Sequence, residues 1–208
     1  NASLVMLNHF RTKMGDHWRG RRVLELGSGL GHLGWGLYQM GAHVTCTDTP
    51  MGDLAQLRAR VKGWLEEEEK EESKGGKDAS GPKGSIRVEE LTWGEEHWSA
   101  SPLSKEHFDG YDTIILAEVF SIPDIHEELL WTLQRFCKDG IEAWSIFMNR
   151  PFSFMFFTHV ADAGGFRVQQ MEDIDMCGMD DEELGVFMHR LTYDSSSPRV
   201  VAKDDGAA

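Results

Sequence analysis

Positive charge is in short supply in this chain. It has 21 lysines and arginines against 35 aspartates and glutamates, a net charge of −14 at pH 7. Nothing supplies a basic face to replace phosphate counterions, which argues against nucleic acid as a partner. The imbalance suits a basic protein substrate, and equally an acidic surface kept for solubility. Cysteine is scarce too. Cys46, Cys137 and Cys177 are far apart and form no C-x-x-C pair. Reduced thiols in an intracellular compartment are expected, cytoplasmic with the nucleus as the alternative. The nine histidines show no ligand spacing, so no structural metal is expected. The given sequence shows no signal-peptide pattern and no membrane-length apolar run, so no membrane partner is expected. The chain begins at Asn1 and not at methionine, so residues upstream are expected.

What the chain does have is a dense run of glycines after an apolar strand. Val23-Leu24-Glu25-Leu26 leads into Gly27-Ser28-Gly29-Leu30-Gly31. A second strand, Ala42-His43-Val44-Thr45-Cys46-Thr47-Asp48, ends in a carboxylate. Between them Leu33, Leu37 and Met40 share one helix face, and Gly41 stops the helix. A βαβ unit with an acid on its second strand is a way to grip a ribose through two hydroxyls.

The glycine register selects the kind of nucleoside. Gly29-Leu30-Gly31-His32-Leu33-Gly34 satisfies G-x-G-x-x-G formally. In a dinucleotide fold the first glycine of that pattern follows the strand directly. Here that glycine is Gly27, and the third fingerprint position then falls on His32. Glu25 sits two residues before Gly27, where a carboxylate suits a cationic ligand better than a pyrophosphate.

Along the rest of the chain, strands and helices alternate. Leu4, Val5, Leu7 and Phe10 suggest a first helix, and Leu54, Leu57, Val61, Trp64 and Leu65 a crossover helix. Residues 66–84 are acidic and then rich in Gly, Lys and Ser, and are expected to form a mobile insertion. Ile86 and Val88 mark a third strand, Tyr111 to Leu116 a fourth, Ile141 to Met148 a fifth. Helices are expected from Ile125 to Phe136 and from Phe152 to Ala163. The loop from Met171 to Glu183 is too short for a helical crossover, so the last two strands should be antiparallel. The expected fold is α/β: a doubly wound, Rossmann-like, mostly parallel seven-stranded sheet with an antiparallel C-terminal strand and helices on both faces. One domain should cover residues 1–194, with a tail over 195–208.

The pattern E-x-G-x-G-x-G, with an acid closing the next strand, resembles motif I of the class I methyltransferases that use S-adenosylmethionine. Further pieces resemble one branch of that class, the methyltransferase-like protein-lysine methyltransferases. Thr47-Asp48-Thr49-Pro50 resembles its T-D-x-P, and Leu91-Thr92-Trp93-Gly94 its L-x-W-G. Ile114 to Pro123 occupies the place of its I-L-x-A-D-x-x-Y-x-P, and Gly165-Phe166-Arg167-Val168 that of its G-F-x-V. The resemblance implies that S-adenosylmethionine is held by Glu25, Gly27, Ser28, Gly29, Gly31, Asp48, Thr49, Trp93 and Ala117. Asp48 would take the ribose hydroxyls and Trp93 would lie against the adenine. It also implies a protein substrate with a target lysine, and a monomeric enzyme.

Two departures stand out. The family's D-x-x-Y is Glu118-Val119-Phe120-Ser121 here. The family's tryptophan ahead of the first helix would fall before Asn1. Glu118 and Ser121 are the catalytic candidates. A lysine ammonium has no lone pair, so it must shed its proton before attack, and Glu118 would orient the amine. Ser121 would accept a hydrogen bond from the amine or simply begin the turn before Pro123. Arg150 borders the expected cleft, with pairing to an acid as its plainer role. Phe152, Phe154, Phe156 and Phe157 read as core more readily than as a substrate groove. Two other activities share the pattern: a small-molecule N- or O-methyltransferase, and a module that keeps the cofactor pocket without catalysis.

Overall fold

The computed structural model describes residues 2–74, 84–105, 110–177 and 185–196. Seven strands form one sheet: β1 (Arg22–Leu26), β2 (His43–Asp48), β3 (Ser85–Glu90), β4 (Thr113–Ala117), β5 (Glu142–Met148), β6 (Phe166–Gln170) and β7 (Val186–Tyr193). Their order is β3-β2-β1-β4-β5-β7-β6. The first five run parallel. β7 lies antiparallel between β5 and β6. The expected antiparallel ending is therefore present, with β7 wedged inside the sheet and β6 at its edge.

Among the described residues six α-helices accompany the strands: α1 (Ala2–His9), α2 (His32–Gln39), α3 (Leu54–Ser73), the one-turn α4 (Glu95–Trp98), α5 (His126–Phe136) and α6 (Met155–Ala163). The pleat assigns each strand residue to one of two cores. On β1, Val23 packs with Leu33, Leu37, Leu57 and Val61 under α2 and α3. Leu24 and Leu26 point the other way, joining Leu129, Leu133 and Phe156 of α5 and α6. Burying both faces fixes the register, because a one-residue slip would exchange the two cores.

Parallel pairing brings the C-terminal ends of β1, β2, β4 and β5 to one edge. Leu26 pairs with Thr47 and with Leu116, and Ala117 pairs with Ile146. The chain leaves β1 toward β2 on one side and reaches β4 on the other. The loops after β1 and β4 therefore flank a crevice, the usual ligand position in such sheets.

The acidic stretch after residue 66 differs from the sequence expectation. Glu66 to Ser73 continue α3 as helix where a loop was expected. Glutamate and lysine are good helix formers, and the apolar stripe of Leu54, Leu57 and Val61 anchors the helix beneath them. Lys62 and Glu66 form an i,i+4 ion pair at 3.8 Å. Tyr38 of α2 donates its hydroxyl hydrogen to Glu68. The rest of the expected insertion, residues 75–83, lies outside the described residues. So do residues 197–208 of the expected tail, whereas Ser195 is held to Asp139 through its backbone N–H at 2.7 Å. Among the described residues no helix is long and apolar enough to cross a membrane.

Candidate functional site

At the end of β1 the chain must turn sharply from strand to helix. Gly27, Gly29 and Gly31 all take positive φ, at 70°, 53° and 77°. Glycine alone does this without strain. Gly27 also needs its bareness, since a Cβ there would lie 2.9 Å from Val119 and 3.0 Å from Trp93. A Cβ on Gly29 would meet nothing within 4 Å, so that part of the loop faces open space. Ser28 is a brace. Its N–H donates to the Thr47 carbonyl at 2.8 Å, and its hydroxyl accepts from the Thr47 N–H at 3.1 Å.

Asp48 ends β2 beside this loop. One carboxylate oxygen accepts from the Gly29 N–H at 2.8 Å, the other from the Thr49 N–H at 2.8 Å. The acid is thus fixed in place by backbone donors, with lone pairs left for further hydrogen bonds. The Thr49 hydroxyl meets that of Thr92 at 3.0 Å, tying the β2 end to the segment that carries Trp93. Trp93 is half-buried with its ring edge at Gly27. A fixed acid, bare backbone and an indole face together fit a nucleoside.

Glu25 lies elsewhere. It is 2 % exposed, packed beneath the loop, where it accepts from the Cys46 thiol at 3.5 Å and lies 2.7 Å from where a Cβ on Gly34 of α2 would sit. Counted among the expected cofactor-binding residues, it lies under the loop and not on the open side of the crevice. The pleat turns it toward α2, so it supports the loop from below. Burial raises its pKa to about 7, against smaller opposing contributions from hydrogen bonds to Ser28, Cys46 and the Gly34 backbone. Burial likewise pushes the Cys46 thiol upward.

One strand over, β4 ends at half-buried Ala117 and is followed by Glu118. Glu118 has φ of 60°, the left-handed region that a side chain rarely enters. The twist carries its carboxylate across to β5. One oxygen accepts from the Met148 N–H at 3.1 Å, and the other lies 3.6 Å from the Arg150 guanidinium. Burial raises its pKa, and the Met148 hydrogen bond and the Arg150 charge oppose that shift. Ser121 is exposed at the turn, past Phe120 and short of Pro123. Below it, buried His126 donates from Nε2 to the Phe120 carbonyl at 3.0 Å.

The fold thus brings Gly27, Ser28, Gly29, Asp48, Thr49, Trp93, Ala117 and Glu118 to one crevice, while buried Gly31 packs against Leu57 of α3. Glu25 is placed behind the crevice and Ser121 at its outer turn. Sequence reasoning missed the left-handed turn of Glu118, the Thr49–Thr92 link and the closeness of Val119 to Gly27. The continuous apolar run of β4 gives no sign that the residue after it will twist. The plainer reading of Arg150, pairing with an acid, is the one found, and its acid is Glu118.

Residues 1–153 match the protein family described as lysine methyltransferase. The chain is 28% identical over 138 residues to EEF1A lysine methyltransferase 3 of Xenopus tropicalis, covering 66% of this chain and 50% of that protein. It is 32% identical over 116 residues to protein N-lysine methyltransferase METTL21A of Danio rerio, covering 56% and 44%. The chain spans about half the length of the curated relatives it matches. Among solved structures, the O-methyltransferase from Bacillus cereus in complex with SAH is similar at a TM-score of 0.54 and 10% identity, over 91% of this chain and 79% of that one. Magnesium protoporphyrin IX methyltransferase from Synechocystis PCC 6803, with bound SAM, gives 0.52 and 15%, over 92% and 77%. At such identities these structures establish a shared fold.

Proposed function

The chain belongs to the lysine methyltransferase family, and from that premise we propose that it transfers a methyl group from S-adenosylmethionine to a lysine of a protein client, acting as a monomer. One observation carries this reading. The nucleoside cradle of Asp48, the glycine loop and Trp93 touches, through Gly27 and Val119, the turn that holds a half-buried carboxylate at Glu118. A grip for the donor and an acid for an amine thus share one crevice.

The donor supplies an electrophilic methyl on a sulfonium. The chain's own work is placement. Asp48 would accept from the ribose hydroxyls, and Trp93 would cover the base. Glu118 would accept a hydrogen bond from the lysine nitrogen and aim its lone pair along the line of displacement. A free carboxylate would also raise the pKa of that lysine and so hold its proton on. Arg150 and the Met148 amide share the charge of Glu118 and moderate this effect. The proton leaves to solvent before the nitrogen attacks.

A tritiated-methyl assay against a cell lysate tests the reading. Label on protein lysines is expected. Label on small molecules alone would assign a small-molecule methyltransferase. Donor binding with no label would leave a cofactor-binding module.

A further inference from the structure

The edge that carries Glu118 also carries apolar surface that folding does not use. Ile122 is 54 % exposed, Phe152 62 %, Phe154 42 % and Met155 44 %. All four lie just after β4 and β5, the two strands whose ends meet at the Glu118–Arg150 pair. Their underside is packed. Phe120 stacks on Phe156 at 4.6 Å, Phe147 meets Phe154 at 5.2 Å, and Phe154 meets Phe187 at 4.8 Å.

Phe152 is the decisive residue. Its φ is 71°, where a bulky side chain is an outlier and glycine would be free of strain. The hydrogen bonds of its turn are made by backbone alone: the Ser153 N–H donates to the Arg150 carbonyl at 3.1 Å, and the Met155 N–H to the Phe152 carbonyl at 2.9 Å. The ring therefore adds strain and exposed apolar area at once. Strain kept at a site edge is a pointer to use.

We infer that Ile122, Phe152, Phe154 and Met155 form a docking ledge for an apolar side chain of the protein client, a few residues from its target lysine. The inference rests on the lysine-transfer reading above. Arg150 stands two residues before Phe152 and lies 3.6 Å from Glu118, so the ledge is continuous with the site. Beyond Ile122, Asp124 and Glu127 are exposed and attract a segment that carries lysine. An apolar centre with a charged rim is the usual make-up of a protein interface. A free small amine would need no such ledge.

The test compares the wild type with Phe152→Gly, Phe152→Leu and Val168→Ser. Val168 is also exposed and apolar, at 45 %, but lies on the edge strand β6. Each protein is incubated with tritiated methyl donor and a cell lysate. S-adenosylhomocysteine affinity is measured by calorimetry, the melting temperature by circular dichroism, and association by sedimentation. Phe152→Gly should keep its affinity and melting temperature while protein label falls about thirtyfold, the size of an interface hot spot. Phe152→Leu should keep most of the label, and Val168→Ser all of it. Undiminished protein label from folded Phe152→Gly would overturn the ledge and leave lysine transfer standing. So would a steep fall in its melting temperature, which would make the ring structural. A wild-type dimer that Phe152→Gly dissociates without loss of label would assign the ledge to self-association instead. A wild type that binds S-adenosylhomocysteine yet labels no protein would instead fell the lysine-transfer reading, and the ledge with it.

Discussion

In the loop leaving β1 the positive φ angles fall on Gly27, Gly29 and Gly31; in the segments leaving β4 and β5 they fall on Glu118 and Phe152. The first end relaxes its turns with residues that have no side chain. The second accepts strain to keep a carboxylate and a phenyl ring where they are. Each end also has a carboxylate with a raised pKa, for the same reason of burial. Glu25 is sealed beneath its loop with a thiol for company, whereas Glu118 is partly open and shares its charge with Arg150. One end sets a carboxylate fixed by backbone donors beside bare glycine backbone. The other turns a half-buried carboxylate and apolar side chains outward.

The largest expected effect tests whether Glu25 is support and not ligand. Its folded pKa is raised from 4.5 to about 7. The protonated form therefore favours folding, and that stability is present below about pH 4.5 and lost as pH rises through 7. The linkage amounts to about 3 kcal/mol. Glu25→Gln cannot ionise, so between pH 5 and pH 8 it should gain most of that amount relative to the wild type. Urea denaturation at the two pH values measures it. Donor affinity should barely change in the variant. A collapse of affinity would put Glu25 on the donor and merge the two ends into one charged pocket.

Glu118→Gln comes next. It keeps size and removes charge, so methyl transfer should fall by about two orders of magnitude, the range for a positioned catalytic group and about 2.7 kcal/mol. Calorimetry should show much less change in donor binding. Full turnover in the variant would erase the chemical half of the contrast. Asp48→Ala is its mirror image. Losing charge-assisted hydrogen bonds to the ribose should weaken donor binding at least about tenfold. Turnover at saturating donor should survive better than in Glu118→Gln. Parallel losses of affinity and turnover in both variants would mean that the two ends do not divide the labour.

The holding end was largely legible in the sequence, and the reason is physical. Tight turns demand glycine, and strand ends demand apolar runs, so Gly27, Gly29, Gly31 and Asp48 leave a spaced pattern. β1 runs from Arg22 to Leu26 as the apolar run indicates. The β4–β5 end hides its geometry. A glutamate at φ 60° reads like any glutamate, and an exposed Phe152 reads like core. The place of Glu25 follows from the pleat: it is close to Gly27 in sequence, but its side chain leaves toward Gly34 of α2. The acidic run from Glu66 misled through composition, because charge density describes solubility and α3 needed only one apolar stripe to persist.

That acidic run gives the smallest effect and the finest test of how firmly the holding end is framed. The glycine loop feeds α2, and α2 is clamped to α3 where buried Tyr38 donates to Glu68. If residues 66–73 were a solvated loop, removing the Tyr38 hydroxyl would cost nothing. As part of a packed helix, Glu68 should lose a charge-assisted partner while keeping access to water, for a net cost of about 1 kcal/mol. Tyr38→Phe changes nothing else in the ring, so packing with Trp35, 4.8 Å away, should persist. The double-mutant cycle with Glu68→Ala isolates the pair, since each single variant removes the same bond. A coupling energy near zero by urea denaturation would detach the far half of α3 from the frame. A coupling of the expected size would leave the stable frame reaching as far as Glu68, well beyond the glycine loop and Asp48.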